Sequence, residues 1–351
     1  MISFKGLLVC AVALSTTGFA TVEEQLISSQ EIPHAQMPPL NDWLDDFAEA
    51  QKQALEKQKP ILIAFLGPSW CSWSDQLESD VLSDPQFVKA LEKEVIFLKV
   101  DIPEEMAEPS EELLPLLKLK DQYHVEECPA LVLVEPMGTE ITKLKYLPLE
   151  GKKFASYIHE ILNDFAAVNH AVERKTLQKI GGSELKALYA KAGQFADSTF
   201  KRTLLKKGLK EDRSPYFLLE EYGYLVAQGE MKERKLSRVR NKILARDPKN
   251  EKGALRQLAI FDFEALSVRT KRSADVEKAI APLVQYLKTF GKDDSENAWR
   301  IELMISEYLF GKDQVEDALL HAKASLEIAP SSAKKEVAKS IDYLQTKLPG
   351  Q

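Results

Sequence analysis

Residues 59–80 read KPILIAFLGPSWCSWSDQLESD. From Pro60 to Leu66 the run is apolar without interruption, as a strand reads when both of its faces are covered. Gly67-Pro68-Ser69 ends it, and a helical pattern follows from Ser72 to Lys93, with a break at Asp84-Pro85. Cys71 therefore falls between a buried strand and the start of a helix. Free main-chain N–H groups and the helix dipole favour a thiolate there. Ser74, three residues on, is placed to donate its hydroxyl to that thiolate, and it cannot form a disulfide. Two readings stay open: a redox centre left with one thiol, or a turn that contains a cysteine.

Outward from this stretch, short apolar runs alternate with amphipathic ones. A helix opens at Asn41-Asp42-Trp43 and runs through QKQALEKQ; Val95 to Val100 is a second strand, and Glu111 to Tyr123 reads as a helix. Ala130 to Val134 and Ile141 to Tyr146 form a hairpin around Met137-Gly138, and Gly151 to Leu162 closes with a helix. This order predicts a small sheet with helices on both faces.

Beyond Asn169 no convincing strand remains. Helices are predicted over 183–209, 215–227, 231–245, 251–266, 274–290, 296–309, 315–328 and 333–348, joined by short Gly, Asp, Pro or Asn turns. Short links favour antiparallel neighbours, hence stacked helical hairpins. The unit DALLHAKASLEIAPSS carries small residues at Ala318, Ala322 and Ala324, where helices cross closely, and is tetratricopeptide-like. Phe261, Phe263, Tyr286 and Trp299 read as core.

The first twenty residues, MISFKGLLVCAVALSTTGFA, have the layout of a cleavable export signal: Lys5, the apolar Leu7 to Leu14, and Gly18-Phe19-Ala20 before the cut. Cleavage removes Cys10 and leaves Cys71 and Cys128 in an oxidising compartment with only each other as partners. The chain has no Asn-x-Ser/Thr acceptor, and an unglycosylated two-cysteine protein suits a bacterial periplasm. Its 351 residues carry a net charge of −7, a length for about two domains and a balance that argues against nucleic acid as partner. Charged runs such as Lys232 to Lys235 read as solvated helix faces. Neither a Gly-rich phosphate loop nor a hydrolase-type nucleophile elbow is present.

Cys128 returns in Glu126-Glu127-Cys128-Pro129-Ala130, where Pro129 precedes an apolar strand, a place suited to a strained or cis proline. Spacing alone does not put Cys128 beside Cys71, and two inert cysteines, one half-buried near a turn and one in the core, are an equal reading. Two thiolates also attract zinc, copper(I) or an iron–sulfur cluster, but tetrahedral ligation needs further donors, and His124 is the sole nearby histidine. No metal and no cofactor is expected.

Residues 60–161 resemble the thioredoxin-like superfamily, in particular the exported branch with a Trp-Cys-x-Trp-Cys centre. The resemblance rests on KPILIAFLGPSWCSWSDQLESDVLSDPQFVKAL, VIFLKVDIPE and YHVEECPALVLVEPMGTEITKLKY, in that order. It implies a thioredoxin-like α/β domain with a central mixed sheet over residues 21–168, after a signal peptide at 1–20 and before an all-helical domain at 169–351. It also implies Cys71 as nucleophile, Trp70 as its flanking aromatic, and a cis Pro129 beside the active centre. Together with Trp73 these form a peptide-binding edge. Three departures stand out. Ser74 replaces the resolving cysteine, Ala64 replaces a buried aspartate, and Cys128 stands just before the proline, where a Cys71–Cys128 pair becomes conceivable.

The function expected on this basis is periplasmic thiol–disulfide exchange, as oxidoreductase or isomerase, on cysteine-containing exported proteins. Cys71 acts as nucleophile, Cys128 as its partner and Ser74 as thiolate stabiliser, with a redox-recycling partner where turnover is net. The alternative is a catalytically degenerate binding, chaperone or envelope-assembly protein. The helical domain offers a surface for orienting a substrate or for homodimerisation.

Overall fold

The computed structural model describes residues 43–104, 111, 113–144, 146–229, 233–269 and 275–348. The expected export signal, Cys10 and the first residues of the expected leading helix lie outside these. The chain divides into units Met1–Pro39 and Leu40–Gln351, and all that is described belongs to the second.

The apolar run after Pro60 becomes β1 (Ile61–Leu66), with every residue buried. It pairs in parallel with β2 (Ile96–Asp101) and antiparallel with β3 (Ala130–Val134), which pairs antiparallel with β4 (Glu140–Leu144); the order is β2-β1-β3-β4. Side chains alternate across a strand, so β1 feeds two cores. Leu62, Ala64 and Leu66 face one, with Leu77, Phe87 and Phe154, whereas Ile61, Ile63 and Phe65 face the other, with Ala50, Ala54 and Tyr123. The sheet is thus mixed and covered on both faces.

On the second face lie α1 (Phe47–Lys57) and α4 (Leu114–Gln122). Asp46 caps α1 by accepting the Glu49 N–H at 2.9 Å, so the helix starts later than expected. Before it, Trp43 packs on Phe97, with ring centroids 4.9 Å apart. Leu44 bonds to the outer side of β2, donating to Phe97 O at 3.0 Å and accepting from Lys99 N at 2.8 Å.

The first face carries α2 (Ser72–Leu77), a π turn (Glu78–Leu82) and α3 (Pro85–Leu91). The expected break at Asp84-Pro85 is there. Asp84 accepts the Gln86 N–H at 2.8 Å and Pro85 takes the first helical turn, where its missing N–H costs nothing. Also on this face is α5 (Gly151–Val172), which runs ten residues past the expected end at Leu162. Phe165, Val168 and Ala171 continue its apolar stripe, and the same core runs on without a gap to Phe217.

Helices follow from there: α6 (Arg174–Leu177), α7 (Gly182–Ala192), α8 (Ser198–Glu211), α9 (Tyr216–Ala227), α10 (Glu233–Arg246), α11 (Ala254–Ser267), α12 (Val276–Phe290), α13 (Ser295–Phe310), α14 (Val315–Ile328) and α15 (Ser331–Gln345). The single helix expected over 183–209 is two. Residues 193–197 leave the helix and lie along β4, where Ala196 N donates to Ile141 O at 2.9 Å and Thr142 Oγ1 to Gln194 O at 2.7 Å. Asp197 then caps α8 by accepting the Thr199 N–H at 2.7 Å.

The later helices stack around a core of their own. Phe263 and Tyr286 are buried in it and Trp299 packs against it, while Phe261 packs beside Tyr222 in a neighbouring cluster. Ala318 and Ala322 are fully buried at the α13–α14 crossing. Close approach there lets Ser306 Oγ reach Ala318 O at 2.7 Å and Ser325 Oγ reach Trp299 O at 2.8 Å. Asp294 ties three elements together by accepting from Arg256, Tyr286 and Asn297.

Candidate functional site at Cys71

Cys71 is the N-cap of α2, in extended backbone geometry. Its carbonyl accepts the N–H groups of Ser74 and Asp75 at 2.9 and 3.1 Å, and its own N–H donates to Gly67 O at 2.9 Å. The main chain is pinned on both sides and the side chain stands at the helix start, half-buried. Its thiol donates to the carbonyl of Cys128 at 3.1 Å. Only the protonated sulfur can make that contact, since a carbonyl offers no donor.

Topology explains the meeting. Phe65, near the end of β1, is paired with Ala130, at the start of β3. The loops that leave β1 and enter β3 thus share one end of the sheet. The Cys128–Pro129 peptide is cis. Cys128 is half-buried, and burial pushes its thiol up from the ordinary value; Lys120 opposes this and Cys71 adds to it. Both cysteines are free thiols.

Ser74 is buried, and its hydroxyl accepts the Gly67 N–H at 2.9 Å. The bond found for this oxygen is to main chain, not to the Cys71 sulfur. Trp70 donates its indole N–H to Ile102 O at 2.7 Å. Its ring lies across Gly67 so closely that a Cβ there would stand 2.5 Å from two ring carbons. Trp73 is 59% exposed and meets Tyr146 edge-on at 6.3 Å.

Beneath this surface is a pair that sequence reading missed. Ala64 stands in register with Lys99 of β2. Lys99 holds the buried Glu78 at 2.9 Å and Asp101 at 3.2 Å. Burial lowers Lys99's affinity for its proton, but the two carboxylates outweigh this and hold its pKa above the ordinary value. A buried acid thus reaches Lys99 from the π turn, one helical turn beyond Ser74. A lone lysine in the apolar strand VIFLKV was the available signal.

Beside Trp70 the surface sinks into a hollow of about 420 Å³, lined by Pro68, Trp70, Asp101, Ile102, Glu104 and Leu113 among others. A larger one, about 780 Å³, is lined by α10 alone, between Arg234, Arg238 and Lys242, and contains no thiol or carboxylate. Among the described residues no group of three or more His, Cys, Asp or Glu could hold a metal ion, and no helix is long and apolar enough to cross a membrane. His124 is exposed, with its carbonyl taken by Lys143 Nζ at 3.2 Å.

A strand-loop-helix cysteine facing a cis proline, on a β2-β1-β3-β4 sheet, defines a thioredoxin-like domain. The family model described as thioredoxin-like matches residues 42–136. The thioredoxin-related protein DsbJ of Chlamydia pneumoniae is 27% identical over 306 residues, covering 86% of this chain and 87% of its own. The disulfide bond reductase DsbH of the same organism is 26% identical over 118 residues, 34% of this chain and 71% of its own. A solved DsbH oxidoreductase structure shares 25% identity over 40% of this chain and 93% of its own, with a TM-score of 0.32. The chain carries a thioredoxin-like domain homologous to DsbJ and DsbH proteins, followed by an all-helical domain.

Proposed function

We propose that this protein is an exported, redox-related binding and folding-assistance protein. It holds cysteine-containing polypeptides at Trp70, Cys71, Trp73 and Pro129 and does not run a two-thiol cycle. Homology to DsbJ and DsbH supports the redox-related role and the periplasmic location. The observation that carries the reading is Ser74: a buried hydroxyl, bonded to Gly67 N–H, at the turn where a second thiol would resolve an adduct. Cys71 as a thiolate can attack a client disulfide, forming one S–S bond while the other client sulfur leaves as thiolate. Return of that thiolate restores both partners, so nothing is oxidised or reduced overall.

The experiment is a reductant-driven turnover assay on a disulfide-bonded model protein, with trapping of adducts by acid and alkylation. Adducts at Cys71 with no turnover above background support the reading. Sustained net reduction by the wild-type chain overturns it.

A second reading is oxidoreductase or isomerase chemistry through a Cys71–Cys128 pair. It is favoured by one observation, the 3.1 Å contact between the Cys71 thiol and the Cys128 carbonyl. Alkylated masses after equilibration in graded thiol–disulfide buffers separate the two. Joint loss of both labels in monomeric protein supports the pair, and two free thiols throughout exclude it.

A further inference from the structure

We propose that the hollow beside Trp70 is a side-chain subsite that selects clients whose cysteine is neighboured by a lysine or arginine. The inference rests on the client-holding reading above and deepens it.

Among the described residues, most main-chain and indole donors around the hollow are already in use. The Trp70 indole N–H is spent on Ile102 O at 2.7 Å, and the Ile102 N–H on Leu66 O at 2.7 Å. The Ser69 N–H is spent on Asp75 Oδ1 at 3.2 Å. Pro68 and Pro103, which also line the hollow, have no N–H to offer. Against these spent donors stand the carboxylates of Asp101 and Glu104. The nearby cation, Lys99, is shared between Asp101 and the buried Glu78. Among the described residues the lining thus presents two carboxylates beside the Ser69 hydroxyl, which can donate or accept, and it suits an occupant that brings donors and positive charge.

The walls are apolar and narrow the class further. The exposed part of the Trp70 indole, with Ile102 and Leu113, suits the methylene stem of a long side chain, which lies on apolar surface while its charged head reaches the rim. A guanidinium or ammonium beside an indole gains a further cation–π attraction. Trp70 is held rigidly by Gly67 and Ile102, so this wall is already formed when the client arrives.

Position follows from the chain. Cys71 directly follows Trp70, so a client cysteine at Cys71 brings residues within about three positions of it to the hollow, at roughly 3.3 Å per residue of extended chain. The reaction that reports occupancy is disulfide exchange with an activated peptide. Cys71 thiolate attacks the peptide sulfur of a peptide–nitrothiobenzoate disulfide, the peptide becomes disulfide-bonded to Cys71, and nitrothiobenzoate leaves as the coloured thiolate.

The test uses the full chain and a peptide set with one such activated cysteine. Lys, Arg, Gln or Glu is placed at each of three positions on either side. At one position or two neighbouring ones, Lys and Arg peptides are expected to be captured roughly fivefold faster than Gln, with Glu slowest. The gap closes in Glu104→Gln and in Asp101→Asn, and near 1 M salt, where screening is strong. It persists in Glu160→Gln, an exposed carboxylate on α5 that serves as control. Capture of all peptides with no positional preference overturns the subsite and leaves the client-holding reading standing. A preference that survives both Glu104→Gln and Asp101→Asn places the cation elsewhere and also overturns it. Failure to capture any peptide at Cys71 removes both.

Discussion

The Cys71 thiol donates to the main-chain carbonyl of Cys128 at 3.1 Å, so two residues 57 positions apart meet as sulfur and carbonyl, not as two bonded sulfurs. The acceptor that a client backbone would meet beside Pro129 is already in use. Engaging a client there means exchanging this contact for others.

Cys128 is a slow thiol. Burial is the main reason its pKa lies above the usual 9.0, with Cys71 adding and Lys120 opposing. The raised pKa shrinks its thiolate population near neutral pH. Native alkylation of Cys71→Ser should therefore label Cys128 more slowly than a free peptide thiol, with a midpoint above that of the unfolded chain. Labelling at the peptide rate would contradict this.

Ser74→Cys restores two thiols across one helical turn. The reduced variant loses the Gly67 N–H to Ser74 Oγ bond and should be less stable than wild type by about 1 kcal/mol. Under oxidising buffer the introduced thiol should form a disulfide with Cys71, visible as two lost alkyl labels, and net reduction of a model disulfide should appear. A variant that keeps both thiols free in oxidising buffer would show that the turn cannot close.

Glu78→Ala leaves Lys99 with Asp101 alone. Glu78's side chain is 8% exposed but that of Lys99 is 24%, so the expected cost is about 2 kcal/mol, below that of breaking a fully buried pair. Lys99's folded pKa is raised above 10.5, so its contribution is complete below that pH and disappears as pH rises through the folded value. Urea unfolding should show wild type losing stability more steeply than Lys99→Met above about pH 10.5. Parallel curves would remove the pair from the stability argument.

Asp294 works in the opposite direction. Burial alone would raise its pKa, but hydrogen bonds from Tyr286, Asn297 and Arg256 hold it below 3.8. Its contribution is present above that pH and lost as pH falls through the folded value. Asp294→Ala should cost about 2–4 kcal/mol, because Arg256 and Tyr286 lose a shared partner, with Asp294→Asn costing less. Denaturation in urea at neutral pH checks the ranking. Approaching pH 3, Asp294→Asn should lose less stability than wild type.

Gly67→Ala drives a methyl into the Trp70 ring, 2.5 Å from two of its carbons. The indole must leave Ile102 O or the loop must shift, at about 1–3 kcal/mol. Red-shifted tryptophan emission at unchanged far-ultraviolet circular dichroism is the expected signature. Unaltered emission would mean that the loop absorbs the methyl.

The parts of the fold that were legible are those where one local signal decides. β1 announced its burial on both faces by an unbroken apolar run, and Asp84-Pro85 announced a break in the helix. The break at residues 193–197 was not legible, although Gly193 and Asp197-Ser198 mark it, because Leu188, Ala192 and Phe195 keep a helical spacing into it, while Phe195 and Phe200 both pack on Phe165 across it. α5 outran its expected end because its last turns pack on helices that no local window contains. In the site, the placing of Cys71 at a helix start could be read from neighbours alone. Its approach to Cys128 rested on family resemblance, and the Glu78–Lys99 pair on a π turn and a strand register that sequence spacing does not express.

Each margin of the sheet is met at one point by the chain itself. Leu44 bonds along β2, and Gln194 and Ala196 bond along β4. An unfolded client usually threatens its holder by adding a strand to a bare rim, the step by which helper and cargo aggregate together. Here the chain itself interrupts that route on each side. On the proposed reading, an extended client at Cys71 would meet the end of the sheet rather than its flank, and leave without having become part of it.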